Sequence, residues 1–232
     1  MASNTSVTIK RLNKDASIES PIKEIEAISS KSFMHRALIC ASLAQGRSTI
    51  SYKELSEDIM ATISALEVMG AKIYIEEDWM TVEAIPVDNR AHKINRQGDF
   101  DHSRFDGDYR EKIVDCRESG STLRMLLPVA TRLSDDYVFV GKKGLMARPI
   151  DDLTQALRKA GFSISSDSLP IEIRNRIGRK RDIEPKKVSD FQIRGDISSQ
   201  YISGLLLAGP LMDGKLRVDV MDKLESKPYI DL

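Results

Sequence analysis

The sequence has only 2 cysteines in 232 residues, Cys40 and Cys116, too few for the cross-linked framework of a secreted disulfide domain. Both read as spare thiols of a reducing compartment. Net charge is also lacking, since 35 basic residues balance 35 acidic ones. No global field therefore draws the chain to DNA or an anionic membrane, and any anion specificity has to be local. No apolar run reaches the roughly 20 residues that span a bilayer, and the opening MASNTSVTIK has no signal-peptide core. These absences point to a soluble, cytoplasmic protein. The composition that remains, 41% hydrophobic and 30% charged, is globular, at a length that suits one large or two small domains.

What is present is a repeat. SSKSFMHRALICASLAQGRSTI, ESGSTLRMLLPVATRLSDDYVFV and SSQYISGLLLAGPLMDGKLRVDV each run from a serine-rich start through an apolar helix into a short strand. The helix bodies are apolar nearly all round, so each is expected to be buried on most sides. Pro128 and Pro210 stand late in the second and third, where they bend or end a helix. A second kind of helix follows the strands. Ile59, Ile63, Leu66 and Met69 recur at helical spacing before Gly70 and the strand AKIYI; Ile150, Leu153 and Leu157 do so before Gly161 and the strand FSIS. Pro149 suits a first helical turn, and Asp151 and Asp152 favour the positive helix end. These helices read as amphipathic and nearer the surface.

The third copy opens with SKPYIDL, Pro228 standing where Pro149 stood. Pro149 and Gly161 are 12 positions apart, so a third capping glycine is expected near position 240, beyond Leu232. One turn of helix is too short to hold itself together, and the chain reads as a piece of a longer one.

Three αβ units suggest pseudo-threefold packing with the apolar helices innermost and their serine-rich starts at one end. Each start offers unpaired N–H groups and about half a positive charge, so several together make an anion site. Lys31, Arg36, Arg124 and Arg148 are the cations that could complete it. Ser32 and Arg36, like Gly120 and Arg124, are spaced to share a helix face.

The motifs SKSFMHRALI, ESGSTLR, ARPIDDL, GDISSQY and SKPYIDL, in this order and spacing, resemble the N-terminal half of the 5-enolpyruvylshikimate-3-phosphate synthase family. The resemblance implies an α/β fold of three βαβαββ-type repeats with pseudo-threefold packing and buried inner helices, one domain of the enolpyruvyl transferase fold. It implies that residues 1–20 belong to a second, missing domain, and that 21–232 form the N-terminal substrate-binding domain with its last repeat truncated. The implied reaction moves the enolpyruvyl group of phosphoenolpyruvate to the 5-hydroxyl of shikimate 3-phosphate and releases phosphate, a step of chorismate and aromatic amino acid biosynthesis. No cofactor and no metal are implied. The partners are the two substrates and the C-terminal half of the enzyme, with no nucleic acid and no membrane.

Carried over by motif, Lys31 is the catalytic lysine and touches both substrates. Ser32, Arg36, Ser198, Ser199, Gln200, Ser226 and Tyr229 match shikimate 3-phosphate contacts. Gly120, Arg124 and Arg148 match the phosphoenolpyruvate side, where guanidinium forks grip phosphate or carboxylate. Glu118-Ser119-Gly120-Ser121 departs from the Asn-Ala-Gly-Thr of many members. A carboxylate there repels an anionic substrate unless it is turned away or protonated.

Other readings stand beside these. Lys31 is open to being a helix-end lysine snorkelling to water, and Arg124 to being a structural ion-pair partner. Cys116, just before ESGS, invites a nucleophile reading, yet the loop cysteine of the related peptidoglycan enolpyruvyl transferase lies in a segment that does not match. His35 could act as a base or pack in support of the site. Trp79 suits a solvated strand turn. The stretch 174–187 has seven basic residues and two acids but no interleaved aromatics, so a solvated hairpin fits it better than a nucleic-acid contact. The chain alone is also open to a non-catalytic reading, as a shikimate 3-phosphate-binding fragment.

Overall fold

A computed structural model of the chain describes residues 30–86, 112–175, 188–212, 214–224 and 226–231. The segment 1–20 and most of the basic stretch lie outside the described residues. Helix α1 (Lys31–Leu43) carries the first apolar run. Strand β1 (Arg47–Ser51), helix α2 (Glu57–Val68) and strands β2 (Lys72–Ile75) and β3 (Trp79–Glu83) follow. In the antiparallel sheet β1-β3-β2, β3 is central, so Thr49 and Tyr74 both face Thr81.

The second unit runs β4 (Lys112–Asp115), α3 (Gly120–Ala130), β5 (Tyr137–Val140), the short α4 (Lys143–Met146), α5 (Asp151–Lys159) and β6 (Ile171–Ile173). Here β4 and β5 are parallel across the α3 crossover, and β6 returns antiparallel to β5. The third unit repeats the crossover: β7 (Val188–Arg194) and β8 (Lys215–Met221) are parallel, joined through α6 (Ser199–Ala208). Helix α7 (Pro228–Asp231) comes last.

The apolar helices are buried as expected: Leu38, Ile39, Leu126, Leu127 and Leu205 are sealed from solvent. Pro128 is accommodated inside α3, whereas α6 gives way to a 3-10 turn, Gly209–Leu211, at Pro210. Gly70 and Gly161 take left-handed φ values of 110° and 98° just after α2 and α5, a conformation that a Cβ disfavours.

Two local expectations shift. Helix α2 buries Ala61, Thr62 and Ala65 as well as its predicted stripe, because α3 and β4 pack against it in addition to α1. The segment FSIS contributes only an isolated bridge, Ile164 to Ile173. Among the described residues no helix is long and apolar enough to cross a membrane.

Helices α3 and α6 approach each other closely at Gly204. A Cβ placed on Gly204 would stand 2.5 Å from the Arg124 carbonyl oxygen and 3.1 Å from the Met125 Cα. Both are backbone atoms and cannot swing aside. Gly204→Ala must therefore push the helices apart, at a cost of about 1–3 kcal/mol. A urea titration should show the midpoint fall with the slope kept; an unchanged midpoint would mean that the two helices separate freely.

Candidate active site

Three serines cap the three apolar helices, and each does so through its own side chain. Ser30 accepts from the Phe33 amide at 3.4 Å, Ser119 from Thr122 at 3.2 Å and Ser198 from Gln200 at 3.3 Å. The sequence predicts these caps locally, because a serine just before an apolar run satisfies an otherwise orphaned N–H. Packing then brings α1, α3 and α6 into mutual contact.

A pocket of about 300 Å³ opens among them and α7. Ser32, Arg36, Arg124, Ser198, Ser199, Gln200, Ser226 and Tyr229 line it, which gathers eight of the eleven residues singled out in the sequence. Gly195, Asp196 and Ile197 line it too. They were legible only as the lead into the SSQ motif, a glycine-containing turn before a helix start. Ser226 holds a left-handed φ of 56°.

The arginines differ in how much of each is committed. Arg36 is buried; it donates to the Ser32 carbonyl at 2.7 Å, the Ser203 hydroxyl at 2.7 Å and the Tyr229 carbonyl at 2.5 Å. It ties α1 to α6 and α7, and burial pulls its pKa below the usual guanidinium range. Arg124 donates to the Gln200 side-chain oxygen at 3.2 Å and the Pro149 carbonyl at 3.1 Å, and lies 5.5 Å over the Tyr201 ring. Its contacts are two carbonyl oxygens and a ring face, with no carboxylate among them, so it is not an ion-pair partner among the described residues. The Tyr201 hydroxyl donates to the same Pro149 carbonyl at 2.6 Å.

Arg148 meets Arg124 at Gly120. A Cβ on Gly120 would stand 3.2 Å from the Arg148 Nη1 and 3.5 Å from the Arg124 Nη1. Two guanidinium groups thus converge where a helix begins, an arrangement that favours an anion. The Glu118 side chain lies against α4, with Oε2 2.6 Å from the position of a Cβ on Gly144. Lys31 is outside the pocket lining; its ammonium, more than half exposed, donates to the Asp58 carboxylate at 3.0 Å. Cys116 is buried, and burial pushes its thiol pKa up. That state is inert, and it removes the nucleophile reading. Trp79 opens β3 and is half exposed.

His35 is almost wholly buried, and burial lowers its pKa from 6.5 to about 4; nearby Asp58 opposes the shift, and Lys31 and Arg36 add to it. A histidine kept neutral in the fold gains protons on unfolding. Its contribution is therefore fully present above about pH 6.5 and is lost as pH falls toward 4, roughly 2–4 kcal/mol in all. His35→Asn should flatten the stability profile over that window in chemical denaturation, while an equal slope in both proteins would place the acid sensitivity elsewhere.

Comparison with known proteins bears on this arrangement. The family model for EPSP synthase (3-phosphoshikimate 1-carboxyvinyltransferase) matches residues 17–232. The 3-phosphoshikimate 1-carboxyvinyltransferase of Clostridium beijerinckii is 35% identical over 213 residues, 90% of this chain and 44% of that protein. That of Methanocorpusculum labreanum is 34% identical over 210 residues, 90% of this chain and 44% of its own length. The solved EPSP synthase of Acinetobacter baumannii superposes with a TM-score of 0.66 at 20% identity, covering 89% of this chain and 42% of that one. That likeness shows the fold, the enolpyruvyl transferase fold. The chain spans less than half the length of these curated relatives. On the match over residues 17–232 and these identities, the chain belongs to the EPSP synthase family.

Proposed function

We propose that this chain supplies the shikimate 3-phosphate-binding half of an enolpyruvyl transferase acting in chorismate and aromatic amino acid biosynthesis. The observation that carries the reading is the pocket in which Ser198, Ser199, Ser226 and two arginines meet at a helix start. Small hydroxyls and orphan N–H groups of this kind suit a phosphate. Ser32, Gln200 and Tyr229 would take the ring and its remaining oxygens. Arg124 and Arg148, converging on Gly120, would take the phosphate or carboxylate of phosphoenolpyruvate, and Lys31 would reach the reacting carbon between the two substrates.

The chemistry asked of these residues is placement and charge neutralisation. The 5-hydroxyl oxygen adds to C2 of phosphoenolpyruvate as its own proton leaves and C3 gains one. The C2–O bond to phosphate then breaks, C3 gives up a proton, and the enol ether remains. Bringing two polyanions together is unfavourable unless the cations that meet them are already fixed. Arg36 and Arg124 are held in this way by their protein acceptors. Family resemblance assigns the proton-moving groups to a second half, so by itself this chain is a binding unit working in the cytoplasm.

The same reading takes residues 21–232 as one domain of three units around a pseudo-threefold axis, with 1–20 belonging to the second domain. Its support is the shared parallel crossover of β4–α3–β5 and β7–α6–β8, and the Arg36 bond to Tyr229 that joins the third unit to the first. Neither nucleic acid nor membrane has a part in it.

Two experiments test this. The double variant Ser198→Ala with Ser199→Ala should lose about 1.5–3 kcal/mol per hydrogen bond to the charged phosphate, so calorimetry should find shikimate 3-phosphate at least tenfold weaker; unchanged affinity would sink the phosphate assignment. Arg148→Lys keeps the charge and loses the fork. With the second half supplied, its Michaelis constant for phosphoenolpyruvate should rise while the fold is kept, and equal constants would make Arg148 structural.

A further inference from the structure

Between α1, α2 and α3, four polar side chains form a chain that none of the chemistry above uses. The His35 Nδ1 is 2.7 Å from the Thr62 hydroxyl, that hydroxyl is 2.7 Å from the Thr122 hydroxyl, and Thr122 donates to the Ser119 hydroxyl at 2.7 Å. All four residues are sealed, none more than 2% exposed. They join three helices: His35 is on α1, Thr62 on α2, and Thr122 and the capping Ser119 on α3.

We infer that His35, Thr62, Thr122 and Ser119 are positioning residues that set the α1 wall of the pocket against its α3 wall, with α2 as the part that joins them. The inference rests on the shikimate 3-phosphate reading above. The α1 wall carries Ser32 and Arg36, and the α3 wall carries Arg124. Among the described residues no ion pair joins the two walls, whereas both are bonded to α2. The Asp58 carbonyl, in the first turn of α2, lies 3.4 Å from the Thr62 hydroxyl and 3.3 Å from the Thr122 hydroxyl, and its carboxylate holds Lys31. One residue of α2 thus meets the lysine of α1 and the first turn of α3.

Hydrogen bonds suit this task better than apolar contact. Apolar side chains let helices slide by small amounts at little cost, whereas a buried donor moved off its acceptor loses the bond and stays desolvated. The chain is also neutral, because burial keeps the imidazole uncharged. It therefore fixes the walls without adding a cation beside Lys31 and Arg36.

The test compares Thr62→Val, which keeps the shape and removes the hydroxyl, with Thr62→Ser, which restores it. Amide hydrogen exchange is read on the ligand-free 232-residue protein, and shikimate 3-phosphate affinity is read by calorimetry. In the valine variant, amides of 34–38 and 123–127 should exchange about tenfold faster while those of 202–207 keep their rates. Affinity should fall at least fivefold, and serine should restore both. Faster exchange spread evenly over all three helices, or affinity equal to wild type, would overturn the inference. If the valine variant does not fold, Thr122→Ala removes the other hydroxyl and is read the same way. A wild-type chain that does not bind shikimate 3-phosphate removes the substrate reading and this inference with it; binding that the variants leave untouched removes this inference alone.

Discussion

The contact on which the pocket depends is the close approach of α3 to α6. Gly204 permits it, since any side chain there would press on the backbone of Arg124 and Met125. With the helices this near, the Arg124 guanidinium reaches across to the Gln200 side chain and the Tyr201 ring. Gln200 in turn donates to Ser121 at 2.8 Å. The first turns of α3 and α6 are thereby locked together, and the positive ends of two helices meet at one pocket. A wider spacing would leave two separate helix starts, each with a fraction of a charge facing water, where it is screened.

The second constraint is electrostatic. A chain with no net charge has gathered several arginines near helix N-termini, which are themselves positive. For Arg36 and Arg124 the mutual repulsion is offset by acceptors of the protein's own. Arg36 is surrounded by a hydroxyl and two carbonyls, and Arg124 by a carbonyl, an amide oxygen and a ring face. Arg148, by contrast, has no hydrogen bond or ion pair through its guanidinium among the described residues. That difference separates guanidinium groups held by protein acceptors from one that has none among the described residues. The acids are distributed to match: Glu57 pairs with Arg117 and Asp58 with Lys31 across neighbouring helix starts, and Glu118 lies along α4.

Much of this was legible in the chain because it is local. Serine before an apolar run specifies a helix start, and three such runs specify three buried helices whatever surrounds them. Gly70 and Gly161 mark helix ends through a backbone conformation that other residues resist. The motif order identified the family and, through it, most of the pocket lining; Lys31, Gly120 and Arg148 fall outside that lining, and Lys31 is the instructive case. Its position beside Ser32 placed it at the site, but its long side chain is directed by Asp58, 27 residues away, and no local pattern encodes that pairing.

What the sequence determined by itself, then, was the set of elements, their caps and the family, since these follow from short-range sterics, hydrogen bonding and ordered motifs. Only the tertiary structure decided how each polar group is used. That Arg36 is a strut and Arg148 is not, that Glu118 rests on Gly144, and that His35 reaches Ser119 through two threonines all depend on contacts between residues far apart in the chain. The physical reason is that a side chain's role is set by the partners within about 3 Å of it. The packing of three helices chooses those partners, and the spacing of residues along any one helix does not.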